Sequence, residues 1–256
     1  MDVNLDFLLK GKGSDISSDF YEPIIIPTDT YEARLGLKSF ATYNNIPNVE
    51  LNRNNQLKIK VPGHEFEIFT FETGAYELRI IAKQLQEWIE IKYPKLKNVS
   101  EKFMLIGNDA TSKAEFIFKD DYGVDFNVKN SIHNLLGFKK TDKFESKGRY
   151  IGSSIVNITN VTQLIFNCNI TDSNYINGQQ MPFLFNCNID VPAGYQLTRE
   201  LNNVTYKKLT TSQISNIRVW IVDQNGHPVN LRKDEFVVTL ALHLRRRVTP
   251  VTLEKE

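Results

Sequence analysis

Apolar and polar residues alternate along residues 31–43. Tyr31, Ala33, Leu35, Leu37, Ala41 and Tyr43 fall on one face, and Glu32, Arg34, Lys38 and Thr42 on the other. A period of two predicts a long strand with one face on a core. The turn Asn44-Asn45-Ile46-Pro47-Asn48 follows, and Leu57, Ile59 and Val61 then alternate with Gln56, Lys58 and Lys60. Pro62-Gly63 turns the chain into a third run over 65–71. At residue 76 the period changes. Leu78, Ile81, Leu85, Trp88 and Ile89 recur at helical spacing, which predicts an amphipathic helix over about 76–93. Thr73-Gly74 is the expected N-terminal cap, and Pro94 stops the helix. Strand runs resume at 103–106, 114–118 and 124–126, with 119–123 read as a hairpin turn between the last two. A short helix is expected at about 131–136, ended by Gly137.

From Tyr150 onward no stretch has helical periodicity. Short apolar runs at 154–158, 162–170, 182–189, 204–209, 217–222 and 236–244 are separated by Asn, Gly and Pro turns. Asn225-Gly226 carries the sequence of a type I′ hairpin, and Asn177-Gly178 is a second, weaker hairpin signal. The pattern predicts a mainly β protein, an antiparallel sandwich or barrel, with one longer and one short helix.

The first 28 residues read differently. Phe7-Leu8-Leu9, then Lys10-Gly11-Lys12-Gly13-Ser14, then a polar stretch and Pro23-Ile24-Ile25-Ile26-Pro27 fit either a meandering first strand or an extended arm that orders on a neighbouring subunit. As an arm, deletion of 1–28 would leave a folded subunit. A β domain over 29–247 follows, as one body or as two lobes, 29–145 and 146–247. The polar stretch 141–148 is the candidate boundary, and 248–256 is a C-terminal tail.

Charge narrows the partners. With 31 basic and 30 acidic residues in 256, the net charge is +1. Such a chain lacks the field that dominates binding to nucleic acid or anionic membranes. Arg245-Arg246-Arg247 is the local exception; a charged strand end blunts a sheet edge, or it meets nucleic acid or an acidic neighbour. At 41% hydrophobic residues the chain can bury a substantial core. Residues 1–6 lack a basic, apolar leader, and no run reaches the roughly 20 apolar residues of a membrane-spanning helix, so synthesis in the cytoplasm is expected. Cys168 and Cys187 lie in the similar strings Phe166-Asn167-Cys168-Asn169 and Phe185-Asn186-Cys187-Asn188. Neighbouring strands would allow a disulfide, but two cysteines in a cytoplasmic chain read as small buried apolar residues.

Candidate chemistry is thin. His64, His133, His227 and His243 have no zinc-site spacing. Gly11-Lys12-Gly13-Ser14 lacks the spacing of a phosphate loop. Asp120, Asp121 and Asp125 lack calcium-loop spacing and read as a solvated turn. No catalytic residue, metal or cofactor is assigned, and the reading is of a non-enzymatic binding or assembly protein. A hydrolase with an unrecognised site is the reading against it.

The order of the motifs carries a resemblance. Tyr31-Glu32-Ala33-Arg34-Leu35-Gly36-Leu37 leads into Tyr43-Asn44-Asn45-Ile46-Pro47-Asn48-Val49. Thr73-Gly74-Ala75-Tyr76-Glu77-Leu78 opens a helix, and Asn130-Ser131-Ile132-His133-Asn134-Leu135-Leu136-Gly137-Phe138 follows. Asn174-Tyr175-Ile176-Asn177-Gly178, Val191-Pro192-Ala193-Gly194-Tyr195 and Trp220-Ile221-Val222-Asp223-Gln224-Asn225-Gly226 complete the series. Over about residues 20–245 this resembles the minor capsid, or penton, proteins of Polinton (Maverick) elements and adintoviruses. The resemblance implies a jelly-roll subunit of the virion that assembles as a homo-oligomer, a pentamer, at icosahedral vertices beside a major capsid protein. The helix at 76–93 and the excess of strands over eight depart from a minimal jelly roll. Candidate interface residues are Phe7, Leu8 and Leu9 of the arm, the loop aromatics Tyr175 and Tyr195, and Arg245, Arg246 and Arg247. Other readings are a second type of shell protein from the same elements, or a trimeric receptor-binding or lectin-like module contacting glycan through Tyr175 or Tyr195.

Overall fold

The structure, a computed structural model, describes residues 3–176 and 178–246. The chain divides into two compact units, the first built from residues up to 46 and from 161, the second from 47–160. The first unit opens with β1 (Val3–Lys12), β2 (Asp15–Ile25) and β3 (Tyr31–Tyr43). The second contains β4 (Gln56–Lys60), β5 (Glu67–Thr70), α1 (Leu78–Lys92), α2 (Val99–Lys102), β6 (Phe103–Asn108), β7 (Lys113–Phe118), β8 (Gly123–Asp125), α3 (His133–Leu136), β9 (Lys143–Phe144) and β10 (Gly148–Ile151). The first unit resumes with β11 (Gln163–Cys168), β12 (Asn174–Ile176), β13 (Gln179–Met181), β14 (Phe183–Asn188), β15 (Gln196–Glu200), β16 (Tyr206–Lys208), β17 (Gln213–Val222) and β18 (Glu235–Arg246).

The first unit is a jelly roll. One sheet runs β1-β18-β3-β15, with β16 also on β3, and the other runs β14-β11-β17-β2. Count β15 and β16 as one interrupted strand and set aside the small β12–β13 hairpin. The eight strands then read 1-8-3-6 and 2-7-4-5. First pairs with eighth, second with seventh, third with sixth and fourth with fifth, all antiparallel. A long hairpin wrapped into two facing sheets has this order. Its core is mostly aliphatic, with Leu35, Leu37, Leu164, Ile217, Val219, Ile221, Val238 and Leu240 around Phe40, Phe166 and Phe236. The second unit is inserted between the third and fourth strands.

Residues 3–25 are integral strands rather than an arm. β1 pairs with β18 over its whole length, from Val3↔Leu244 to Lys12↔Glu235, and β2 pairs with β17. Leu9 and Ile16 are core residues, 2% and 5% exposed. Gly13, at φ +83°, makes the left-handed turn between the two strands, and its N–H donates to Asp234 O at 2.8 Å.

A bulge alters the face assignment in β3. The register runs Thr239↔Ser39 and then Leu240↔Leu37, so Lys38 is the extra residue. Alternation is out of step beyond it: Phe40 and Thr42 turn inward, both 2% exposed, while Tyr43 is 42% exposed. The displaced Lys38 donates to Asp6 Oδ2 at 2.6 Å on β1.

Turn assignments change as well. β17 and β18 belong to different sheets, so Asn225-Gly226 does not join them; the chain instead folds back locally, with Val222 bridging Pro228 antiparallel and Asp223 N–H donating to His227 O at 2.8 Å. Only Gly226 (φ +83°) lies in the left-handed region, whereas type I′ needs two such residues. The turn is organised by Asp223, whose Oδ1 accepts from the N–H groups of Asn225 and His227 at 2.8 and 2.9 Å. By contrast, β12 and β13 do form a hairpin, with Gly178 at φ +79°, while Asn177 lies outside the described residues. Residues 154–158 carry no strand.

The second unit has two small sheets, β5-β4-β8-β9 and β10-β7-β6. Residues 119–123 therefore carry the chain from one sheet to the other rather than closing a β7–β8 hairpin. The amphipathic helix is α1, which buries Ile81, Ala82, Leu85 and Ile89. Glu77 is its N-cap, with no side-chain cap bond, and the hydroxyl of Thr73 instead accepts from Leu51 N–H at 3.0 Å. Stretch 141–148 lies inside this unit as β9 and the start of β10, so the boundaries fall at 46/47 and 160/161. The core is aromatic: Phe116 packs against Phe103, Phe118, Phe126 and Phe138 with ring centroids 5.7–6.3 Å apart. Glu115 is buried beside it and accepts from Asn108 Nδ2 at 2.9 Å and from Arg149 Nε at 2.7 Å. The Asn108 amide, with Arg149 behind it, holds the Glu115 carboxyl below its usual range.

Candidate interaction surfaces

The jelly roll has two ends. One gathers the β1–β2 turn, the loop before β18, the loop before β15, the end of β3 and the start of β11. Asn44 Nδ2 donates to Val191 O at 2.7 Å there, and Asn45 donates to Asp234. The opposite end gathers residues 26–30, the β12–β13 hairpin, residues 201–212 and the end of β18. Ile26 N–H donates to Ser212 O at 2.8 Å and Asp172 N–H to Lys208 O at 2.9 Å at that end.

The eight candidate interface residues do not form one site. Tyr195, 65% exposed, is in the loop before β15, and Tyr175, 76% exposed, is in the β12–β13 hairpin, so they occupy opposite ends. Arg245 and Arg246 stand at Tyr175's end, in register with Glu32 and Tyr31. Arg247 lies outside the described residues. Of the Phe7-Leu8-Leu9 trio only Leu8 is outward, at 70% exposure; Leu9 belongs to the core, and Phe7 packs edge-on against Phe20 at 5.5 Å. Strand alternation places Leu8 on the opposite face of β1 from Phe7 and Leu9.

An exposed edge lies elsewhere. β2 borders its sheet, and its register jumps from Asp19↔Asn216 to Ile24↔Ile214, so residues 20–23 bulge away from β17. Tyr21, on that bulge, is 100% exposed and Ile25 is 65% exposed. Pro23 in a strand-like run was the available sequence signal, since proline is confined to strand edges and bulges. Arg218 clamps the strand below the bulge, its Nε donating to Asp15 Oδ1 at 2.8 Å; that bond holds the Asp15 carboxyl below its usual range.

Of the three acids read as a solvated turn, Asp125 is instead on β8 and 7% exposed. Asp120 meets Lys102 at 3.4 Å while Asp125, on β8, meets Lys58 at 3.3 Å. Among the described residues no group of three His, Cys, Asp or Glu side chains could hold a metal ion. Cys187 stands opposite Leu164 and Cys168 opposite Val219, and both thiols are free. Burial pushes each up to about 11, away from thiolate chemistry. No described helix is long and apolar enough to cross a membrane. The second unit also holds a polar cavity of about 270 Å³, formed where residues 48–54, the start of α3 and residues 157–160 meet.

No family model matches the chain, and no curated protein sequence matches it. Among solved structures, the crystal structure of the mavirus penton protein is similar at 11% identity and a TM-score of 0.48, over 96% of this chain and 100% of that one.

Proposed function

We propose that the protein is a non-enzymatic subunit of a virion shell, a minor capsid or penton protein that self-associates at vertices, with a pentamer as the favoured oligomer and a major capsid protein as neighbour. The observation that carries this reading is the strand order of the first unit, two facing four-strand sheets in jelly-roll sequence, one of the architectures used for capsid shells. The motif resemblance supports it. So does the disposition of apolar surface: Leu8, Tyr21 and Ile25 all project from β1 and β2, the bordering strands of the two sheets, where unpaired backbone is available to another subunit.

The test is the absolute mass of the purified chain by light scattering after size exclusion, alone and co-expressed with a major capsid protein, with negative-stain images of the same peaks. Fivefold rings, or incorporation into shells, are expected. Replacing Leu8 and Tyr21 together by Ser should weaken association by about tenfold or more without moving the melting temperature, since both side chains are outside the core. A chain that stays monomeric in both settings would sink the reading, and a stable trimer would redirect it to a receptor-binding module.

A further inference from the structure

The polar cavity of the second unit goes beyond a shell role. Its walls are fixed by asparagine side chains acting as backbone substitutes. Asn48, 5% exposed, donates through Nδ2 to Tyr76 O at 2.8 Å and Ile158 O at 2.9 Å, and accepts from Tyr76 N–H at 2.8 Å through Oδ1. One residue thus ties three segments together with every side-chain bond but one made. Asn54 closes the 48–54 loop, accepting from Glu50 N–H and donating to Asn48 O, both at 2.8 Å. Asn157 N–H donates to Leu135 O at 2.9 Å and fixes the third wall. The cavity is therefore preformed, and ordering it on ligand binding costs little.

The groups left over determine what it would hold. Lys129, Asn134 and Asn157 line the cavity, and their side chains make no hydrogen bond or ion pair among the described residues. Arg53 is engaged by Glu50 at 2.9 Å, so those two charges offset each other. That leaves one uncommitted cation, two carboxamides, each able to donate and accept, and the imidazole of His133, whose buried Nδ1 has no hydrogen-bond partner among the described residues. Two amides suit adjacent hydroxyls, and one ammonium suits a single negative charge rather than a phosphate dianion. About 270 Å³ is near the lower end for a ligand pocket and accommodates one sugar ring.

We propose that this cavity binds a saccharide unit bearing a carboxylate, with Lys129 on the carboxylate and Asn134 and Asn157 on ring or side-chain hydroxyls. The site is on the inserted unit and is independent of whether the first unit assembles.

The test is titration of the full chain with 3′-sialyllactose and with methyl glucuronide, followed by amide chemical shifts, with lactose and inorganic phosphate as controls. Millimolar binding of an acidic sugar is expected, with shifts clustered in 48–54, 129–135 and 157–160. Lys129→Ala and Asn157→Ala should each raise Kd by about tenfold while leaving the melting temperature unchanged, as befits loss of a ligand hydrogen bond by an exposed side chain. Four results would overturn the proposal: no saturable shift with either acidic sugar at tens of millimolar, equal affinity for lactose, equal affinity for phosphate, or binding that survives both substitutions.

Discussion

The two units solve the same packing problem with different side chains. Among the described core residues, the jelly roll buries three aromatic rings, Phe40, Phe166 and Phe236, in an otherwise aliphatic set. The inserted unit, though shorter, buries eight: Phe71, Tyr76, Phe103, Phe116, Phe118, Tyr122, Phe126 and Phe138. Two facing sheets present regular rows of inward positions, which Leu, Ile and Val fill by interdigitation. A helix against two short sheets leaves irregular space, and rings meeting edge-on or tilted fill it with few residues. Core composition follows architecture, and a small body compensates for short strands with large side chains.

The sharpest way to break this comparison is to remove β1 and β2. Deleting residues 1–25 strips Leu9 and Ile16 from the core and leaves β18 and β17 without their bordering strands. The jelly roll should lose its cooperative fold, while residues 47–160 expressed alone should keep theirs. Hydrogen exchange of the two products reads both outcomes, and a deleted chain with a protected first unit would restore the arm.

Next in size is a matched pair of cavities. Phe116→Ala and Phe166→Ala each empty a fully buried site and should cost about 3–5 kcal/mol. If the units unfold separately, calorimetry shows two transitions, and each substitution lowers a different one. A single transition shifted by both would make the division purely geometric.

Acid gives the smallest and most selective contrast. The folded-state pKa of Glu115 is depressed below the ordinary 4.5, so its contribution is present above that value and is lost as pH falls through the folded one. Glu115→Gln should flatten the acid limb of the inserted unit's melting temperature. Asp15 is depressed below 3.8 in the same sense but is largely exposed, and Asp15→Asn should barely alter the limb of the jelly roll.

Much of this was legible before folding. The helix at Leu78–Lys92 and most of the strands, including β3, β4, β17 and β18, follow from periodicity because each buries one face and exposes the other. Strand partners, unit boundaries and the type of the turn at Asn225-Gly226 did not follow. Asn225-Gly226 has hairpin chemistry, yet the strands on either side join different sheets. The change of face after Lys38 comes from one unpaired residue, which alternation alone does not reveal.

The candidate surfaces divide in the same way. Exposure of Tyr175 and Tyr195 is a local matter of turn-rich loops, and the sequence shows it; their placement at opposite ends is set by which strands those loops join. The cavity on Lys129, Asn134 and Asn157 draws on three segments up to 110 residues apart, as the Asn48–Ile158 bond shows, and no local pattern marks them. Element type and inward face follow from periodicity, because they depend on neighbours two to four positions away. Sheet membership, the insertion and the pocket emerge on folding, because they depend on pairings whose register is fixed when distant strands close on a shared core.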